Sequence, residues 1–196
     1  MVSKITIDLD DRKVSGTGII YNIDLNQQRG ENLCWAAVTE SIYKHFNDHS
    51  FTQDKFTKTL NADKENEPYP LLENIYKKKG KDISQCIFKK PLNQKEFKYL
   101  IEEEGGPLIF TIPQMGSRCD SRHYILVIGY IMMKDINNRS AMHIIVKNPY
   151  PKSKKINRNK NINVKPTVIP FREFKQCGVL YTSILDDEKL NKDKCY

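Results

Sequence analysis

Gln28-Arg29-Gly30-Glu31-Asn32-Leu33-Cys34-Trp35-Ala36-Ala37 sets a glutamine six residues before a cysteine that opens a helical pattern. No Gly or Pro follows through Phe46, and Val38, Ile42 and Phe46 recur at a spacing of four, one apolar stripe. Cys34 therefore falls in the first turn of a helix. Backbone N–H groups there have no intrahelical partner and carry the positive end of the helix dipole, which favours a thiolate over a thiol. A bend at Gly30 lets the Gln28 side-chain amide come beside the sulfur as a donor to an oxyanion. A small buried cysteine in a core helix, preceded by a surface glutamine, fits the same residues.

The 196-residue chain suits one domain, 1–186, ending in a charged tail over 187–196. Hydrophobic residues at 39%, charged residues at 29%, ten tyrosines and eight phenylalanines describe a globular protein with a core. No apolar run reaches membrane-spanning length, and residues 1–30 lack the pattern of a signal peptide. The expected location is the cytoplasm, or outside the cell by a route that needs no such signal. Cys34, Cys86, Cys119, Cys177 and Cys195 show no C-x-x-C pair and an odd count. Neither a disulfide framework nor a zinc site is indicated, a reducing compartment fits best, and no metal or cofactor is called for.

The net charge of +8 is concentrated between Asn148 and Arg172, which holds no acidic residue. Lys152, Lys154, Lys155, Arg158, Lys160 and Lys165 make 151–166 a basic loop that would attract an acidic partner or an anionic surface. It has no aromatic residue between Tyr150 and Phe171 for stacking bases, which argues against nucleic acid. A plain solvated loop is the simpler reading.

Residues 4–9 alternate as a half-buried strand, and Ser15-Gly16-Thr17-Gly18 reads as a break, giving an N-terminal arm over 1–20. Beyond the Cys34 helix, Ser50-Phe51-Thr52-Gln53 has the capping-box pattern of a second helix to about Leu60, and a third runs from about Leu71 to Lys79. A short strand fits Asp82–Lys89, and Asn93-Gln94-Lys95-Glu96 is a second capping box, opening a helix through Glu104. Thereafter 108–112, 124–133 and 142–147 read as strands, two of them so continuously apolar that they belong in the middle of a sheet. Thr167–Ile169 and 179–185 are further strands, with a helical turn at 170–174 between them. The expectation is an α+β domain, an N-terminal helical layer on a C-terminal antiparallel sheet with a cleft between them.

A nucleophilic cysteine needs a base. His45 lies eleven residues into the helix, about 16 Å along its axis, and His49 is equally remote. His143 lies inside a strand and suits an ordinary interior role. His123 precedes Tyr124-Ile125-Leu126-Val127-Ile128-Gly129-Tyr130 and so stands at the mouth of a buried strand, facing a cleft. Asn148 closes a strand before Pro149, where its amide oxygen can accept the Nδ1 hydrogen of His123 and orient the ring. Asn-Pro is also an ordinary turn signal.

In the order Gln28, Cys34, His123, Asn148, the chain resembles the papain-like cysteine peptidases. Within them it resembles the compact bacterial branch that includes effector proteases injected into plant cells, staphopain-like enzymes and bacteriocin-leader peptidases. Gln28 with Cys34-Trp35-Ala36-Ala37, His123-Tyr124 with Gly129-Tyr130, and Asn148-Pro149-Tyr150 carry the likeness, which spans about 20–185. Many relatives have Asp-Pro in place of Asn148-Pro149. The resemblance implies acyl transfer to Cys34 from a protein or peptide substrate, a His123–Cys34 ion pair, an oxyanion site at Gln28, and a possible effector or toxin role. Trp35 would shield the pair or serve as core. Gln114, Arg118 and Asp120, leading into His123, would line the substrate groove or form an exposed loop. Deamidases and transglutaminase-type acyl transferases use the same nucleophile, and a non-catalytic binder using the basic loop is a third class. The sequence leaves the oligomeric state open.

Overall fold

The computed structural model describes residues 2–30, 33–54, 73, 77–78, 83–87, 91–104, 106–113, 122–134, 138–150 and 162–182. Its axis is a 13-residue strand, Arg122–Lys134. In chain order the strands are β1 (Ser3–Asp8), β2 (Lys13–Ile20), β3 (Ile83–Ile87), β4 (Leu108–Pro113), β5 (Arg122–Lys134), β6 (Ser140–Lys147), β7 (Thr167–Pro170) and β8 (Gly178–Thr182). Along one edge β5 pairs β6 from Leu126 to Lys134. Along the other, β4 takes its first half and β2 its second. β1 extends β2, β7 extends β6, and β8 then β3 extend β4, every pair antiparallel.

The apolar runs of β4, β5 and β6 have one physical cause: both faces of the sheet are covered. Tyr124, Leu126, Ile128, Ile109 and Ile145 face a core shared with helix α1 (Cys34–His45). Leu108, Phe110, Ile125, Val127, Ile144 and Val146 face a second core built on Phe97, Leu100 and Ile101 of helix α2 (Gln94–Glu104). Even-numbered residues of β5 serve the α1 core up to Ile128, but Ile131 serves it too and Tyr130 the other. A β-bulge causes the switch, since Val127 pairs with Val146 and Gly129 with Ile145. Gly129 has φ +152, and a Cβ there would meet the Ile19 carbonyl oxygen at 2.0 Å. Only glycine suits that site.

The α+β class therefore holds, with differences inside it. The sheet is not confined to the C-terminal half, because β1 and β2 precede α1 and join it. The helices are not one layer, because α1 and α2 serve cores on opposite faces. Ser15–Gly18 does not break the chain. It lies within β2, where a Cβ on Gly18 would meet the Tyr130 carbonyl oxygen at 2.0 Å, so the glycine serves close strand approach.

Asn93 does open α2 with a capping box. Its Oδ1 accepts the Lys95 and Glu96 N–H groups at 2.9 and 3.0 Å, and Glu96 accepts the Asn93 N–H at 2.7 Å. Ser50–Gln53 does not, since the Ser50 N–H goes to Asp48. Gln53 and Asp54 are helical, and so are residues 73, 77 and 78 within the expected third helix; the rest of both segments lies outside the described residues. Part of the basic segment is not a free loop: Asn163 bridges Asn26, and the Val164 N–H reaches the Leu25 carbonyl at 2.7 Å. Residues 151–161 and the tail 187–196 lie outside the described residues. Cys177 is disulfide-bonded, although the odd count and the lack of a C-x-x-C pair indicated no disulfide framework. Sequence spacing carries no information on which cysteines a folded sheet brings together. No helix among the described residues is long and apolar enough to cross a membrane.

Candidate active site

Helix α1 begins at Cys34, and its start has no side-chain cap and no acidic residue in the first turn. The orphan N–H groups that a cap would take are instead turned toward the sulfur. The thiol accepts from the backbone N–H groups of Tyr124, Trp35 and Cys34 itself. The Tyr124 contact joins the helix start to β5, one residue beyond His123. Burial nonetheless outweighs these donors and pushes the Cys34 thiol above its ordinary 9.0. The thiolate expected from the helix start alone is thus opposed by desolvation, with Cys34 only 7% exposed.

His123 Nε2 lies 2.7 Å from Asn148 Oδ1. The expected contact used Nδ1; it is the far ring nitrogen that meets Asn148, which follows the end of β6 beside the first half of β5. Asn148 Oδ1 also accepts the Tyr150 N–H at 2.9 Å, which marks it as the acceptor. In the neutral ring Nε2 therefore carries the hydrogen, and Nδ1 holds a free lone pair. Burial lowers the His123 pKa below its ordinary 6.5, with the Asn148 contact opposing. The exposed ring of Tyr150 stands edge-on to His123, with centroids 6.2 Å apart.

Gln28 is no surface residue, being 1% exposed. Its backbone N–H donates to the Pro149 carbonyl at 2.9 Å, tying it to the residue after Asn148. Its side-chain Nε2 donates to the Gly30 carbonyl at 2.8 Å, and its Oε1 is buried without a hydrogen-bond partner. Two further side chains hold this segment. Gln53 brackets Gln28, accepting the Arg29 N–H at 3.1 Å through Oε1 and donating to the Gln27 carbonyl at 3.3 Å. The buried Lys147 donates to the Ile23 carbonyl at 2.7 Å, and burial lowers its pKa against the pull of Asp24.

Contacts between segments distant in sequence thus tie Gln28 to Pro149 beside Asn148, Asn148 to His123, and Cys34 to Tyr124 beside His123. Trp35 is buried in the α1 core cluster, where packing accounts for it. Gln114, Arg118 and Asp120 lie outside the described residues. His45 and His49 are exposed, and His143 Nδ1 lies 3.2 Å from the Ala141 carbonyl. The sequence reading gave no role at this site to Tyr150, Lys147 or Gln53. Asn148-Pro149-Tyr150 carried a signal for Tyr150. Nothing local marks Gln53, whose partners are 24 and 26 residues away.

None of the curated proteins compared matches the chain. Residues 16–163, a span that includes Gln28, Cys34, His123 and Asn148, match the family model described as papain-like cysteine protease AvrRpt2. That match covers well over half the chain, and by it the protein belongs to the papain-like cysteine protease AvrRpt2 family.

Proposed function

We propose that this cysteine peptidase cleaves peptide bonds with Cys34 as nucleophile, His123 as base and acid, Asn148 as the group that orients His123, and Gln28 as an oxyanion donor. The single observation that carries the reading is the 2.7 Å contact of His123 Nε2 with Asn148, which leaves Nδ1 unoccupied beside the residue whose N–H reaches the Cys34 sulfur. On this reading the substrate binds between the start of α1, the start of β5 and the end of β6.

With both groups favoured neutral by burial, His123 Nδ1 removes the thiol proton as the sulfur attacks the scissile carbonyl. The tetrahedral oxyanion is held by the Cys34 backbone N–H and the Gln28 amide. A side-chain amide has two N–H hydrogens; the Gly30 carbonyl takes one and leaves the other to donate. The His123 imidazolium then gives its proton to the leaving amine, and the ring activates water to free the acyl group. The resemblance to injected effector proteases supports a substrate in another cell, a role that secretion and delivery assays test.

Cys34→Ala should reduce peptide cleavage by at least about three orders of magnitude while leaving the thermal melting curve within a few degrees. Full activity in that variant overturns the scheme. Ammonia release from glutamine side chains without chain cleavage would assign the same residues to a deamidase.

A further inference from the structure

We propose that a cavity beside the later turns of α1 holds a second site, which binds the guanidinium or alkylammonium group of a small organic cation. A cavity of about 210 Å3 opens there. Glu40, Ser41 and Lys44 of α1 line it, with Asp24 and Asn26 from the segment leading to Gln28 and Asn163 opposite.

Glu40 is only 4% exposed, and its Oε1 pairs with the Lys44 ammonium at 2.6 Å. Its Oε2 is buried and has no hydrogen-bond partner. A buried carboxylate oxygen without a donor is costly, and a ligand that brings an N–H group removes that cost. The rest of the lining is spoken for in a way that leaves acceptors. Ser41 donates its hydroxyl to the Asp24 carbonyl, and Asn163 donates its amide to Asp24 Oδ1 at 2.7 Å. Among the lining residues this leaves the Glu40 Oε2, the second Asp24 oxygen and the Asn163 amide oxygen to accept from a ligand. Lys44 pairs with Glu40 and the charge of Lys147 acts on Asp24, but Lys147 gives its Nζ hydrogen bond to the Ile23 carbonyl and does not line the cavity, so acceptors outnumber donors there.

An acceptor surplus that includes an unpaired carboxylate oxygen selects a cation that carries several N–H donors. A compact hard metal ion suits it less, because Lys44 already occupies one oxygen of Glu40 and the ring of oxygen ligands such an ion needs is incomplete.

The test is a titration of the full-length protein with agmatine, a free guanidinium compound. It is followed by amide chemical shifts at Ala37, Ser41 and Asn163 and by calorimetry. Acetyl-arginine amide serves as the second arm, to represent the same group on a peptide. Binding near about 1 mM or tighter is expected for at least one of the two; the arm that binds more tightly identifies the source. Glu40→Gln keeps the shape and should weaken binding at least about tenfold, and Asp24→Asn at the exposed rim should weaken it about threefold. Lys44→Met frees the competing carboxylate oxygen and should tighten binding, a gain that mere structural damage would not produce. Cys34→Ala should bind as the native protein does, which separates this site from the peptidase reading. No shift at these amides up to about 10 mM of either compound, or equal affinity in Glu40→Gln, overturns the proposal.

Discussion

Burial decides the ionisation of Cys34 at the start of α1 and of His123 at the start of β5. Desolvation raises Cys34 and lowers His123, so the thiol and the neutral ring are both favoured in the free enzyme. Alkylation of Cys34 by iodoacetamide should therefore keep accelerating as pH rises through 9.0, the ordinary thiol value. A rate that is flat between about pH 5 and 8 would show a preformed thiolate and refute this. Gln53 acts one step further out, holding the backbone on both sides of Gln28. Gln53→Met, close in volume but without the two hydrogen bonds, should lower kcat about tenfold with KM little changed. The expected loss is in kcat because the oxyanion is held only after attack. Steady-state kinetics on a peptide substrate with a melting curve alongside would check it, and an unchanged kcat would remove Gln53 from the positioning of Gln28.

Among the elements, β5 is the one on which the others depend. Its bulge lets the first half pair with β4 and the second with β2 while both faces stay apolar. Gly129 permits the bulge through its positive φ and its lack of a Cβ, which would meet the Ile19 carbonyl oxygen at 2.0 Å. Gly129→Ala should cost about 3 kcal/mol or more, from backbone strain and from displacement of β2. Urea unfolding measures this, and a cost below about 1 kcal/mol would mean that β2 is not held as described. By contrast α1 owes little to a polar outer face. Residues Cys34 to Tyr43 are all buried, including Thr39, Glu40 and Ser41. Thr39 returns its hydroxyl to the Trp35 carbonyl at 2.7 Å, and Lys44 covers Glu40.

At the scale of the whole molecule, one sheet carries two cores, and the groups proposed to act in catalysis come from chain segments of both halves. Stability should carry the mark of His123 on the acid side. Its folded pKa lies below the ordinary 6.5, so above 6.5 the ring is neutral in folded and unfolded chains alike. As pH falls below 6.5 the unfolded chain takes up the proton first, and stability is lost until pH passes the folded value. The urea midpoint should fall on acidification from pH 7 to 5, and by less in His123→Phe; identical losses in both proteins would exclude His123 as the cause. What the sequence determined by itself is what a short window can encode. A helix begins at Cys34 because apolar spacing and the absence of breakers set it. Asn93 and Glu96 cap a helix because they stand three apart, and a histidine precedes a buried strand because the apolar run begins there. Tertiary structure alone decided that Nε2 rather than Nδ1 of His123 meets Asn148, that β1 and β2 enter the sheet, that Cys177 is oxidised, and that Gln53 holds the Gln28 segment. Tertiary contact also reversed the ionisation expected of Cys34. Desolvation and cross-strand contact depend on which distant residues are brought together, and no local period in a chain records that.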